Sequence, residues 1–294
     1  MMKKLLVTGA SGFLGWNLCQ LARSNWQVYG TYFSQDIFIP GVKTFQVNLK
    51  DFSQLQQHFQ AVQPDAVVHA AACSQPNFCQ SHPQESYAVN VTASGYMADL
   101  CADANIPCAF TSTDLVFDGS NPPYRETDPV CPINIYGEQK VAAERLMHDR
   151  YPRTAICRMP LMFGVVPPTA KTFIQAFLQT LEEGRRLSLF VDEFRTPVSG
   201  TTAARGLLLA LEKWEGILHL GGTERISRYD FGQMLAEVFN FPDAKIEACR
   251  QSDVPMMAPR SPDVSMDSSL ARSLGYTTLS LREELEQVRS VVSC

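Results

Sequence analysis

The stretch Lys4-Leu5-Leu6-Val7-Thr8-Gly9-Ala10-Ser11-Gly12-Phe13-Leu14-Gly15 decides the fold. Residues 4–7 form an apolar run too short for a helix and without period-2 alternation, which predicts a strand buried on both faces. Residues 13–23 follow with helical periodicity. Between them, glycines at 9, 12 and 15 are spaced G-x-x-G-x-x-G. Glycine permits the tight turn and lets the backbone approach a pyrophosphate, which then sits at the positive end of the following helix. A Gly15 without Cβ lets helix and strand pack closely. A strand, a glycine-rich turn and a helix in this order point to dinucleotide binding.

Outward from that turn the same alternation repeats. Strands are expected at 27–32, 44–47, 66–70, 108–112 and 154–158. Helices are expected at 51–62, with Asp51 as cap, and at 83–105 and 133–150. This order predicts an α/β fold: a Rossmann-type doubly wound parallel sheet covered on both faces. After Pro160 the pattern loosens. Helices are expected at 172–183, 201–214, 228–239 and 281–291, an extended piece at 187–190 and a buried strand at 216–220. Residues 253–262 show little periodicity. The expected division is a dinucleotide-binding domain over 1–160, with 199–225 returning to it. A smaller, partly interleaved substrate-binding portion takes 161–198 and 226–294.

Composition limits the function classes. Hydrophobic residues make up 45% and charged residues 19%, as in ordinary globular chains. The net charge of -5 is scattered, so no footprint for nucleic acid or an anionic membrane is present. The apolar run after Lys3-Lys4 is shorter than the roughly 7–15 residues of a signal-peptide core. No stretch approaches the roughly 18 apolar residues of a membrane helix. A cytoplasmic protein is expected. The nine cysteines include no C-x-x-C pair, which argues for free thiols rather than a zinc site or disulfide framework. Cys73 and Cys79 fall on the expected rim of the site, where one is a candidate reactive thiol. The histidines show no metal spacing, and no metal is expected.

The second chemical signal is Tyr136-Gly137-Glu138-Gln139-Lys140 at the start of a helix. Spacing of i, i+4 sets Tyr136 and Lys140 on one face, one turn apart. An ammonium beside a phenol favours the phenolate and lowers its pKa, which makes the pair a proton donor for a carbonyl receiving hydride. Upstream, Phe110-Thr111-Ser112-Thr113-Asp114 is a strand ending in hydroxyls, one of which can bond the substrate oxygen. For the cofactor, the region after the second strand reads Tyr29-Gly30-Thr31-Tyr32-Phe33-Ser34, with no carboxylate before Asp36. An acidic residue there would bond the ribose 2′-OH of NAD. Its absence favours NADP(H), with NAD(H) left open.

These segments resemble the extended short-chain dehydrogenase/reductases along nearly the whole chain. Within them the chain is similar to the dTDP-4-dehydrorhamnose reductases and to the related regulatory beta subunits of methionine adenosyltransferase. The likeness is carried by 8–15, by Asp65-Ala66-Val67-Val68-His69-Ala70-Ala71-Ala72 and by Asn90-Val91. It is carried most specifically by Ser112-Thr113-Asp114-Leu115-Val116-Phe117-Asp118-Gly119 with Pro123-Tyr124-Arg125-Glu126 and 132–137. Arg158-Met159-Pro160 and Arg195-Thr196-Pro197-Val198 add to it. Carried over, the resemblance implies that Gly9, Ser11, Gly12, Phe13, Leu14 and Gly15 hold the cofactor phosphates. Thr31, Asn48 and Leu49 lie on the adenosine side, Ala70, Ala71 and Ala72 on the ribose and nicotinamide side. Asn90 supports the site from behind, and Pro160 meets the nicotinamide. Thr113, Tyr136 and Lys140 form the catalytic set, and Asp114, Arg158 and Arg195 face the substrate.

The implied activity is reduction of a nucleotide-linked 4-keto sugar by NADPH, with Tyr136 as proton donor. Two alternatives stay open: an epimerase or dehydratase on the same scaffold, and a non-catalytic NADP-binding regulatory subunit. The glutamate a dehydratase would need after Asp114 is replaced by Leu115, where these reductases carry an aromatic residue. The implied partner is a nucleotide-sugar substrate, with no nucleic acid and no membrane, and a homodimer is left open. His69, ending a buried strand, is expected to be a packed, hydrogen-bonded residue rather than a base. Trp16 and Trp26 are expected in the core and Met256-Met257 as rim packing. Arg195 has two readings: a surface arginine paired with Asp192 or Glu193, or a clamp on the substrate diphosphate.

Overall fold

In a computed structural model, residues 2–292 are described; the thiol of Cys294 lies outside them. The central sheet contains β1 (Lys4–Thr8), β2 (Gln27–Tyr32), β3 (Lys43–Gln46), β4 (Ala66–His69), β5 (Cys108–Thr113), β6 (Ala155–Met159) and the strand Gly216–His219. All seven run parallel, in the order Gly216–His219, β6, β5, β4, β1, β2, β3. The chain winds one way from β1 to β3 and the other way from β4 to β6. A crevice therefore opens beyond the carboxyl ends of β1 and β4, where the direction reverses.

Both faces are covered, which explains the missing alternation in the strands. Leu5 and Val7 point into a core built with α1 (Phe13–Ala22) and the helix Gly200–Lys213. Leu6, between them, points into the opposite core, built with α2 (Phe52–Val62) and the helices Ala93–Ala104 and Ile135–Arg150. Trp16 and Trp26 pack, partly buried, on the first core. Asp51 caps α2, accepting from the Gln54 amide at 3.1 Å.

A third core joins Phe163, Ile174, Phe231, Leu235 and Leu285 in the C-terminal portion. Short pairings hold that portion. Leu187–Phe190 runs parallel to Ile246–Cys249, and Phe194–Arg195 runs antiparallel to Ile226–Ser227. Met162–Phe163 runs parallel to Val198–Ser199. Pieces of two residues carry no periodicity, so the sequence did not announce them.

The helix expected over 83–105 is not uniform. It runs as Pro83–Tyr87, a π turn at Ala88–Thr92, and Ala93–Ala104, ending on Asn105 in the left-handed region at φ 50°. A further helix, Pro76–Ser81, precedes it. Among the described residues, eight cysteines are free thiols, no three metal-ligating side chains cluster, and no helix is long and apolar enough to cross a membrane.

Candidate active site

A cleft of about 730 Å³ lies along the carboxyl ends of the strands. Its first wall is the glycine-rich turn. Gly9 has φ 74°, and a Cβ there would stand 2.9 Å from the Ala71 Cα. A Cβ on Gly15 would stand 2.2 Å from the Gly9 carbonyl oxygen, so only glycine lets α1 begin this close to the turn. The cap of α1 is Gly12, which offers no side-chain oxygen, and the first turn holds no acidic residue. The leading amides of α1 are thus left for a ligand, and an anion suits them. A dinucleotide pyrophosphate fits this cradle.

The second wall is the end of β4. Thr8 Oγ1 accepts from the amides of Ala70 and Ala71, both at 3.1 Å. With both acceptor sites taken, its proton goes to His69 Nδ1 at 2.8 Å. His69 Nε2 then carries the ring proton and donates to Ser94 Oγ at 3.1 Å, which passes its own proton to the Asn90 carbonyl. Burial, then the Lys140 charge, holds the imidazole down at about 3, so it stays neutral. His69 therefore fixes the backbone of Ala70 and Ala71, which line the cleft.

Asn90 sits in the π turn and does not line the cleft. Its amide accepts from Cys73 N at 2.8 Å and donates to Gln139 Oε1 at 2.9 Å. It ties the chain after β4 to the helix that carries Tyr136 and Lys140. Cys79 is buried and donates to the Cys73 carbonyl, while Cys73 faces the cleft. Burial raises both thiols, so neither is a ready thiolate.

Thr113, at the end of β5, donates to Asp114 Oδ1 at 3.2 Å and accepts from the Leu115 amide. Asn134 caps the helix Ile135–Arg150, accepting from Gly137 N at 2.9 Å, and so sets Tyr136 in the first turn. Tyr136 and Lys140 both line the cleft. The electrostatics differ from the expectation. Burial and then the Asp114 charge push the Tyr136 phenol above its ordinary value, with Thr113 pulling it back. Lys140 is pushed down to about 7 by burial, against Glu144. Its Nζ lies 4.0 Å from the Phe110 ring centroid. The phenol is held protonated, the state a proton donor needs.

At the far end, Asp114, Glu193, Arg195, Arg228 and Arg260 meet. Arg195 is neither a surface residue nor free. It donates to the carbonyls of Phe194 and Ser261, at 2.6 and 3.1 Å, and stands 3.3 Å from Glu193 and 3.8 Å from Asp114. Burial pushes Asp114 up to about 6, with Arg195 pulling it down. Arg228 lies over the Phe173 ring at 4.0 Å and reaches Glu193 only at 4.0 Å. Arg228 Nη1, Arg260 Nη1 and Asp114 Oδ2 are buried without a hydrogen-bond partner.

Arg228, Arg260 and Glu193 were not legible as site residues. Arg228 merely follows a helix cap, and Arg260 lies in the aperiodic stretch. Arg158, expected to face substrate, lies outside the cleft. It is 2% exposed and bound through Nε and Nη2 to Glu144. The remaining expected residues, from Gly9 to Gly15 and Thr31, Asn48, Leu49, Ala72 and Pro160, line the cleft.

The chain is similar to known proteins. The sequence model of the family described as RmlD substrate binding domain matches residues 2–293. The methionine adenosyltransferase 2 subunit beta of Bos taurus is 30% identical over 281 residues, 93% of this chain and 83% of that protein. The Haloferax volcanii protein named "Probable low-salt glycan biosynthesis reductase" is 30% identical over 293 residues, 98% of this chain and 97% of that protein. The dTDP-4-dehydrorhamnose reductase of Bacillus anthracis str. Ames, solved in complex with NADP, superposes with a TM-score of 0.88 over 100% of both chains. At 21% identity that likeness is one of fold. With a match that runs nearly from end to end, the chain belongs to the RmlD substrate-binding-domain family.

Proposed function

We propose that the protein is an NADP(H)-dependent reductase of a nucleotide-linked 4-keto sugar. The observation that carries this reading is one cleft with three parts. A phosphate cradle lies on one wall, Thr113, Tyr136 and Lys140 lie at its floor, and two half-buried guanidinium groups, each with one buried nitrogen lacking a hydrogen-bond partner, lie beyond them. The nicotinamide would contribute hydride delivery to the carbonyl carbon. Tyr136, kept protonated by burial and by Asp114, donates its proton to the carbonyl oxygen as charge develops there. Thr113 orients that oxygen through its hydroxyl. Among the described residues no carboxylate forms an ion pair with Lys140, so its ammonium is available to the ribose hydroxyls and to the phenolate left after transfer. Arg228 and Arg260 face the anionic part of the substrate, because each holds one buried nitrogen without a hydrogen-bond partner, which a substrate oxygen would satisfy. Arg195 holds Glu193 and the neighbouring backbone in place.

NADP(H) is favoured because no carboxylate lines the end of β2. The test is NADPH oxidation by the protein against a panel of nucleotide 4-keto sugars. Turnover on one member supports the reading; tight cofactor binding with no turnover on any would replace it. The replacement would be a non-catalytic NADP-binding partner subunit, a reading favoured by the 30% identity to the methionine adenosyltransferase 2 subunit beta.

A further inference from the structure

At the adenosine end the cleft is walled by Thr31 and Tyr32 of β2, by Phe33 just after it, and by Asn48, Leu49 and Lys50 after β3. Only one of these six is charged. The nearby carboxylates are engaged elsewhere: Asp36 bonds the Tyr32 hydroxyl and does not line the cleft, and Asp51 caps α2. A ribose 2′-OH is read by a carboxylate, and this wall offers none. A 2′-phosphate needs a charge-assisted donor, and this wall offers one ammonium.

Phe33 makes the arrangement specific. It is 58% exposed, an unusual state for a phenylalanine, and it forms part of a concave wall rather than a scattered surface site. The Lys50 Nζ lies 6.0 Å from the Phe33 ring centroid, at the outer limit of a cation–π contact. That contact is too weak to account for an uncovered ring at the mouth of a ligand cleft. A ring face and an ammonium side by side match an adenine and a phosphate on its ribose.

We propose that Lys50 and Phe33 together select the cofactor, Lys50 pairing with the adenosine 2′-phosphate and Phe33 supplying the face against which the base stacks. The two come from different crossovers, 17 positions apart, and only the parallel pairing of β2 with β3 makes them neighbours. This inference rests on the NADP(H) reading above.

The experiment is titration of the full chain with NADPH and with NADH by nicotinamide fluorescence. Lys50→Gln should raise the Kd for NADPH by about tenfold or more, as expected for a lost charge-assisted bond, and leave that for NADH within about twofold. Lys50→Glu should move NADPH further. Phe33→Leu should weaken both cofactors alike. Lys43→Gln is the control, because Lys43 lies over the Tyr29 ring at 5.6 Å but outside the cleft, and it should change neither. A wild-type preference for NADPH that survives Lys50→Gln would overturn the role of Lys50. A Phe33→Leu protein with unchanged affinities would overturn the role of Phe33. Tighter binding of NADH than NADPH by the wild type would remove the NADP(H) reading itself.

Discussion

Arg158 meets Glu144 through two parallel hydrogen bonds, Nε to Oε1 at 3.0 Å and Nη2 to Oε2 at 2.8 Å, with both side chains buried. Ser112 donates to the same Glu144 Oε1 at 2.5 Å. One carboxylate thus joins β6, the residue before Thr113 on β5, and the helix that carries Tyr136 and Lys140. His219 completes the group, accepting from Arg158 Nη1 at 3.4 Å and donating through Nδ1 to the Tyr124 carbonyl. Burial and then Arg158 hold this imidazole down at about 3, so it stays neutral and able to accept.

Removing one partner of such a pair strands a buried charge. Arg158→Met should cost about 3–5 kcal/mol in urea denaturation. Arg158→Met with Glu144→Leu should recover most of that loss, because no charge is left unpaired. A substrate role for Arg158 would instead appear as a raised KM in the double variant with stability restored; we expect KM to stay at the wild-type value.

Tyr136→Phe removes the phenolic proton and leaves the ring in its place. Turnover on a nucleotide 4-keto sugar should fall by at least about 10²-fold, the low end for a lost general acid. The Kd for NADPH should stay nearly unchanged. Wild-type turnover in this variant would take the proton donor away from Tyr136.

Lys140 is an amine whose pKa in the folded chain, about 7, lies below the ordinary lysine value of 10.5. Between these values the unfolded chain binds a proton that the folded chain does not, so this group makes stability rise with pH across the window. Below about 7 its full destabilising effect is present. Lys140→Met should therefore unfold at a higher temperature than wild type at pH 6. The gap should shrink as pH rises from 7 towards 10.5. A gap that is flat with pH would show that Lys140 is not held down by burial in the free protein.

Arg228→Ala and Arg260→Ala should each raise KM for a nucleotide sugar and do little for a small carbonyl without phosphates. Arg195→Lys should behave differently. Lysine cannot keep the bonds to the Phe194 and Ser261 carbonyls as well as the contact with Glu193, so stability should fall by about 1–3 kcal/mol. Steady-state kinetics on both substrate types, with thermal melts, separates the two patterns. Equal KM values for wild type, Arg228→Ala and Arg260→Ala on the nucleotide sugar would remove the anion role.

The parallel sheet, the glycine-rich turn and the i, i+4 placement of Tyr136 and Lys140 were legible along the chain. Each depends on residues close along the chain, where strand, turn and helix impose fixed periods on side chains. The sequence also marked His69 as a packed residue, since a histidine ending an apolar strand has its surroundings written on either side of it. Whatever needs two distant segments came from packing. Arg158, ending an expected strand, and Arg195, in a loosely patterned stretch, look alike as isolated arginines. One turns onto Glu144 from a neighbouring helix, and the other enters the cleft and is held there by backbone from 194 and 261. Arg228 and Arg260 reach the cleft from a helix start and an aperiodic loop. The Tyr136 phenol rises rather than falls because burial and the Asp114 charge push it the same way, and burial is a property of the packed whole that no local spacing encodes.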